Sequence, residues 1–364
     1  MRDTKLIVIF LGLLAFFAIG FVLNILEPIL LPFVVAVFLS RIFGPLNLAL
    51  RRRRVPGPLS ILLVLIVVSI GLLIFGWAVY SSAQAFTAAL PRYQERTQAL
   101  LAGTSGWLAS SFPWLQTQIQ QWHWEKAFEL SSLTGFAAAM LGSFLLFFND
   151  AFLVLLFLVF LLAGSEMFPA KIRRALDPAS AERLGAMIHN IEAGVRRYIL
   201  TKTLINLMTG ALVTALLAAF GVDFPLLWGL LTFLAHYIPS VGAVISVGLP
   251  TIFFFLQFSP GTALLIAVLN ATLQFVIGNA VEPRIMGSSL DLSPLLVLLS
   301  LIFWGWLWGP WGMILSVPIT STIKIVCENV EALHPLAVLM SGSPEEAKPK
   351  PAAALTPTPK ILPE

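Results

Sequence analysis

Residues Gly278–Pro294 read GNAVEPRIMGSSLDLSP. They hold Glu282, Arg284 and Asp291, three of the four charged side chains in the 121 residues from Thr203 to Ile323; Asp223 is the fourth. Long apolar segments flank the stretch on both sides. Water cannot solvate a globular surface so poor in charge, so the solvent of this run is largely lipid. Ionisable groups inside lipid-embedded protein cost about 2.5–3.5 kcal/mol each on insertion scales and mark pathways or partner contacts. The expected fold class is all-α: a polytopic helical membrane protein with broken or re-entrant helices.

Composition agrees over the whole chain. Of 364 residues, 58% are hydrophobic and 11% charged, against roughly 25% charged in soluble domains. Net charge is +4, with four arginines in a row at Arg51–Arg54. Apolar spans on both sides make that run a cytoplasmic loop obeying the positive-inside bias rather than a nucleic-acid contact. The single cysteine, Cys327, excludes an intramolecular disulfide and a cysteine-based zinc site. No HExxH pattern, Walker loop, GxGxxG or GxSxG elbow occurs, so neither metal nor cofactor is expected, and no enzyme.

Leu6–Leu26 is longer than a signal-peptide core and reads as a first span with an uncleaved cytoplasmic start. Glu27-Pro28 and Pro32 predict a kink or turn, and Leu59–Tyr80 an outward span. Residues 1–80 thus form N-terminal membrane segments. Residues 81–142 gather four tryptophans, with three basic side chains balanced by three acids, and read as an extracytoplasmic amphipathic region. Leu115, Ile119 and Trp122 give it an apolar stripe. Residues 143–335 form the membrane core. Within it, residues 165–202 carry Lys171, Arg173, Arg174, Arg183, Arg196, Arg197 and Lys202 against four acids, which places this loop and its helix 177–202 in the cytoplasm. Asp177-Pro178 is its N-cap signal. The proline-rich tail, residues 336–364, is expected to be disordered.

Breaks distinguish the core. Phe224–Ile238 and Ala243–Phe258 are short apolar segments separated by Pro239-Ser240-Val241-Gly242, which predicts a re-entrant hairpin. Leu292–Trp308 breaks at Gly309-Pro310. Pro283 predicts non-helical backbone before it. Two readings of Glu282-Pro283-Arg284 stand side by side. In one, it lines an aqueous cavity, Glu282 taking a proton or cation with Arg284 as counter-charge. In the other, it is an interfacial turn from which Arg284 snorkels. Asp291 reads either as a further pathway charge after Glu282 and Arg284 or as a helix cap, and Asp223 as a loop residue. Asn206, Gln274 and Asn279, with Pro239, Ser240 and Gly242, complete the candidate substrate or ion pathway; the buried amides also suit plain interhelical hydrogen bonding.

The stretches HYIPSVGAVISVGLP (His236–Pro250) and VEPRIMGSSLDLSPLLVLLSLIFWGWLWGPWGMILSVP (Val281–Pro318) resemble the autoinducer-2 exporter family of bacterial permease-like proteins. Tyr198–Leu231 matches in order and spacing, and the resemblance runs over roughly residues 5–335. Ser240 and Ala243 depart from a common form of the first motif. The resemblance implies a multi-pass bacterial inner-membrane transporter with about seven or eight membrane segments, both termini cytoplasmic, assembled as a homo-oligomer. It implies export of a small polar molecule such as autoinducer-2, or sodium/proton antiport. By position its motif residues here are Pro239, Gly242, Glu282, Pro283, Gly287, Pro294, Gly309 and Gly312. A passive oligomeric channel and a non-transporting scaffold remain alternatives.

Overall fold

The helices turn large apolar side chains outward: Phe21, Trp77, Phe160, Phe275 and Trp306 are each 66–70% exposed. Such a surface is stable only against hydrocarbon or another apolar surface. The computed structural model describes residues 2–111, 150–164, 167–239, 241–286 and 292–342. Among them the chain is helical, with one lone bridge, Leu292 to Ser341. The expected stripe at Leu115, Ile119 and Trp122 lies outside the described residues, as do Ser240, Gly287, Asp291 and the tail beyond residue 342.

Helix α1 (Arg2–Ile25) passes into α2 (Glu27–Arg52) through Leu26 alone, with a proline in the first turn of α2. Helix α3 (Gly57–Ser111) does not stop at Tyr80 as the sequence suggested. At 1.5 Å per residue it is about 80 Å long, well over twice a hydrocarbon core. The change of composition near residue 81 therefore marks a loss of apolar character within one helix, not a helix end. Helix α4 (Asp150–Gly164) packs Val154, Leu158 and Leu162 against Ala36 of α2 and Val64 and Val68 of α3.

After the short α5 (Met167–Ala175) comes α6, Pro178–Ala219, a single 42-residue helix. Asp177 caps it as expected, accepting from the Ser180 N–H at 3.0 Å. The expected surface helix and the following span are thus one rod. The rest of the core leans on it. Helix α7 (Pro225–Ala235) has 11 residues, about 16 Å, too short to cross a bilayer. It crosses α6 where Gly210 meets Gly229; a Cβ on Gly210 would lie 2.7 Å from the Gly229 carbonyl oxygen. The chain then turns back as α8 (Val241–Gln257), and α7 and α8 pack together as a hairpin. Helix α9 (Pro260–Met286) follows, with one π-helical turn at Ile277–Val281.

The element Pro294–Asn329 has the length of a span, yet it is folded on itself. Trp308 and Gly309 leave helical geometry, Gly309 at φ +58°. The Trp304 indole N–H donates to the Thr320 hydroxyl at 3.2 Å; in a continuous helix these residues would stand about 24 Å apart. The element is a second hairpin, α10 (residues 294–307) and α11 (residues 310–329), broken where Gly309-Pro310 predicted. Its tip is tied to α1: Trp308 donates to the Leu23 carbonyl, and Asn24 donates to the Leu307 carbonyl. Helix α12 (His334–Met340) packs on it.

The two hairpins share a sequence signature. Each opens with Pro-Leu-Leu (Pro225, Pro294), places a glycine just beyond its tip (Gly242, Gly312) and a serine four residues later (Ser246, Ser316), and then a proline (Pro250, Pro318). Both serines are fully buried. Both glycines sit where side chains cannot: a Cβ on Gly242 would lie 2.5 Å from the Ala235 carbonyl carbon, and one on Gly312 2.7 Å from that of Trp304.

At the base of the first hairpin, Asp223 is more than a loop residue. Its carboxylate accepts from the Tyr93 hydroxyl at 2.6 Å and from Arg92 at 2.5 Å, joining the extension of α3 to the turn after α6. Tyr93 packs there on Phe224 and Phe253. Burial first, then the Asp223 hydrogen bond and charge, push the Tyr93 phenol above its ordinary range. An unfolded tyrosine ionises near pH 10, so this contact contributes its full stability below about pH 10 and loses it as pH rises beyond. Alkaline unfolding followed by absorbance at 295 nm should therefore include a phenol that ionises only on unfolding at this contact, and Tyr93→Phe should reduce the amplitude of that step by one tyrosine.

Candidate functional site

The buried face of α6 reads Val195, Tyr198, Lys202, Ile205, Asn206, Thr209 and Val213. A lysine on that face keeps only 4% of its surface exposed. A buried ammonium needs a partner, because its desolvation costs several kcal/mol. Lys202 finds it in Glu282, 80 residues later, through a direct ion pair.

The π turn of α9 sets Glu282 in place. The Glu282 N–H donates to the Ile277 carbonyl, five residues back, and Glu282 itself is helical (φ −57°, ψ −49°). The expected non-helical break before Pro283 is absent. The widened turn accommodates a proline that has no N–H and whose ring would crowd the carbonyl four residues back. One extra residue in the turn also shifts the following side chains by about 100° around the helix.

The other sequence candidates divide. Arg284 is exposed and pairs with none of the described residues, so Lys202 takes the counter-charge role expected of it. Asn279 is exposed and donates to the Phe275 carbonyl of its own helix. Ser240 and Asp291 lie outside the described residues; the cap of α10 is Ser293, whose hydroxyl accepts from the Leu296 N–H. Pro239 and Gly242 form the hairpin tip. Asn206 is fully buried and links α6 to that tip, donating to the Lys202 carbonyl and accepting from the Tyr237 N–H, both at 3.2 Å. The Tyr237 hydroxyl donates to Thr203 at 2.7 Å.

Gln274 of α9 is 4% exposed, and neither end of its amide has a hydrogen-bond partner among the described residues. The Thr232 hydroxyl and the Asn270 Oδ1 are also buried with no partner among the described residues. These groups adjoin one another. Asn270 donates to the Ser246 carbonyl at 3.1 Å, and the Ser246 hydroxyl lies 3.4 Å from the His236 Nδ1. The His236 Nδ1 in turn lies 3.0 Å from the Thr232 carbonyl. Unpaired buried polar atoms cost about 1–3 kcal/mol each, so a cluster of them between broken helices fits a path for a polar solute, ion or proton. Among the described residues no group of three or more His, Cys, Asp or Glu is placed to hold a metal.

Lys202, Tyr198, Thr232, Ser246 and Asn270 were not among the sequence candidates. Lys202 was legible by its spacing, since it follows Val195 and Tyr198 and precedes Ile205 and Asn206 on one helical face. Lys324 is a second case, 4% exposed and 3.4 Å from Glu328 one turn on.

The model of the AI-2E family transporter matches residues 7–332. The chain belongs to the AI-2E family. Among its relatives, YhhT of Escherichia coli (strain K12), named as a candidate transport protein, is 34% identical over 331 residues, covering 88% of this chain and 90% of YhhT. The AI-2 transport protein TqsA of the same organism is 32% identical over 341 residues, covering 93% and 96%. YrrI of Bacillus subtilis (strain 168), likewise a candidate transport protein by name, is 26% identical over 317 residues, covering 83% and 86%. AI-2E membership covers both hairpins and the Lys202–Glu282 pair that joins α6 to α9.

Proposed function

We propose that this AI-2E protein is a secondary transporter that exports a small polar molecule of the autoinducer-2 kind, with export coupled to an ion. It works as a non-enzyme in the bacterial inner membrane, as a homo-oligomer with both termini in the cytoplasm. The pair of buried Lys202 and half-buried Glu282 beside the hairpin tip carries the reading. A charge pair held at a π turn, among unsatisfied polar groups and beside a hairpin tip, can exchange a proton or cation as a solute passes. Protonation of Glu282 frees Lys202 from its partner, and the tip, anchored through Asn206 and Tyr237 to the same stretch of α6, feels that change first. The name of TqsA supports the substrate class.

Counterflow in proteoliposomes tests it. Vesicles preloaded with unlabelled autoinducer-2 should transiently accumulate the labelled compound above its external concentration. A passive channel equilibrates without overshoot and a scaffold moves nothing; either result rejects the carrier. In oriented vesicles, a cysteine at residue 107 should react only from the outer side.

A further inference from the structure

In the N-terminal half of α6, ahead of Lys202, lies a feature that the transport reading does not use. A cavity of about 1250 Å³ opens between α2, α4, α5 and the basic half of α6. Phe33, Val37, Phe160 and Leu161 line its apolar part, and Phe160 is 68% exposed. Arg41, Arg173, Arg196, His189, Glu182 and Glu192 line its polar part. Arg41 is paired with Glu192. Arg173 and Arg196 are exposed and make no ion pair with a described residue.

We propose that this cavity binds a phospholipid, its phosphate between Arg173 and Arg196 and an acyl chain along Phe33, Val37, Phe160 and Leu161. The two halves of the lining select for both parts of the ligand. A soluble anion would satisfy the guanidinium groups but leave the apolar wall wet, and a bare hydrocarbon would do the reverse. Guanidinium groups suit phosphate oxygens through paired N–H donors. Basic pockets between helices at the cytoplasmic face are where anionic headgroups are attracted. Glu182 and the Arg41–Glu192 pair make the mouth of mixed sign, so binding here depends on the placement of Arg173 and Arg196 rather than on net charge.

Native mass spectrometry of the full chain in detergent, titrated with phosphatidylglycerol, tests the site. The double variant Arg173→Gln/Arg196→Gln should weaken apparent affinity about tenfold. Lys171→Gln/Arg174→Gln, on the same short helix but outside the lining, should leave it unchanged. Val37→Trp, which fills the apolar part, should also displace the lipid, and glycerophosphoglycerol should compete weakly. Equal losses in the Lys171/Arg174 control would show diffuse charge attraction and overturn the proposal. Full competition by the headgroup alone would reduce the site to an anion site and overturn it too. Phe160→Cys that cross-links to its own copy in another subunit would make the cavity a subunit contact, which equally overturns it.

Discussion

Lys202→Met is expected to destabilise the protein by about 3 kcal/mol and to reduce transport to the background of empty liposomes. The substitution leaves the half-buried Glu282 carboxylate next to a thioether in place of its cation. Removing one partner of a buried pair is far more damaging than replacing both by apolar groups of similar size. The double variant Lys202→Met/Glu282→Leu should therefore recover most of the lost stability, measured by detergent thermal unfolding. It should still fail to transport. A pair that served only packing would recover both properties together. Glu282→Gln keeps the shape and a hydrogen-bond acceptor for Lys202, and should fold while losing the pH dependence of transport. Arg284→Ala should have little effect, because that side chain is exposed and outside the pair.

The second large effect concerns the hairpin tips. Gly242→Ala places a Cβ against the Ala235 carbonyl and 2.9 Å from the His236 Cα, both backbone atoms that cannot rotate away. Overpacking of this kind costs about 1–3 kcal/mol, and here the turn itself must open. Gly242→Val should lower the unfolding temperature by about 5 °C or more and abolish transport. Gly312→Val should do the same at the other tip. Gly248 lies on the same helix as Gly242 with nothing within 4 Å of a Cβ, so Gly248→Ala should behave as wild type. Equal tolerance at 242 and 248 would mean that the tip is looser than these contacts imply.

Much of the fold was legible because lipid leaves strong marks on composition. The Pro239–Gly242 and Gly309-Pro310 breaks, the Asp177 cap and the polytopic character follow from proline, glycine and charge placement alone. What failed did so for identifiable reasons. The change near Tyr80 reports a polarity boundary, and a helix can pass through one. Pro283 predicts a local break, but a π turn absorbs a proline without leaving helical geometry. Charge counting assigns Lys202 to a cytoplasmic loop because it ignores which face a residue occupies. Its partner, 80 residues on, is visible only in three dimensions. The Pro-Leu-Leu, glycine and serine signature shared by Pro225–Pro250 and Pro294–Pro318 was present in the sequence and needed only comparison of the chain with itself.

The decisive measurement is counterflow by Lys202→Met/Glu282→Leu, purified and reconstituted beside wild type across a range of pH. The expected result is a protein that unfolds within about 1 kcal/mol of wild type and shows no accumulation at any pH. Wild-type accumulation with an unchanged pH dependence would contradict a coupling role for the pair and leave it a packing element of α6 and α9.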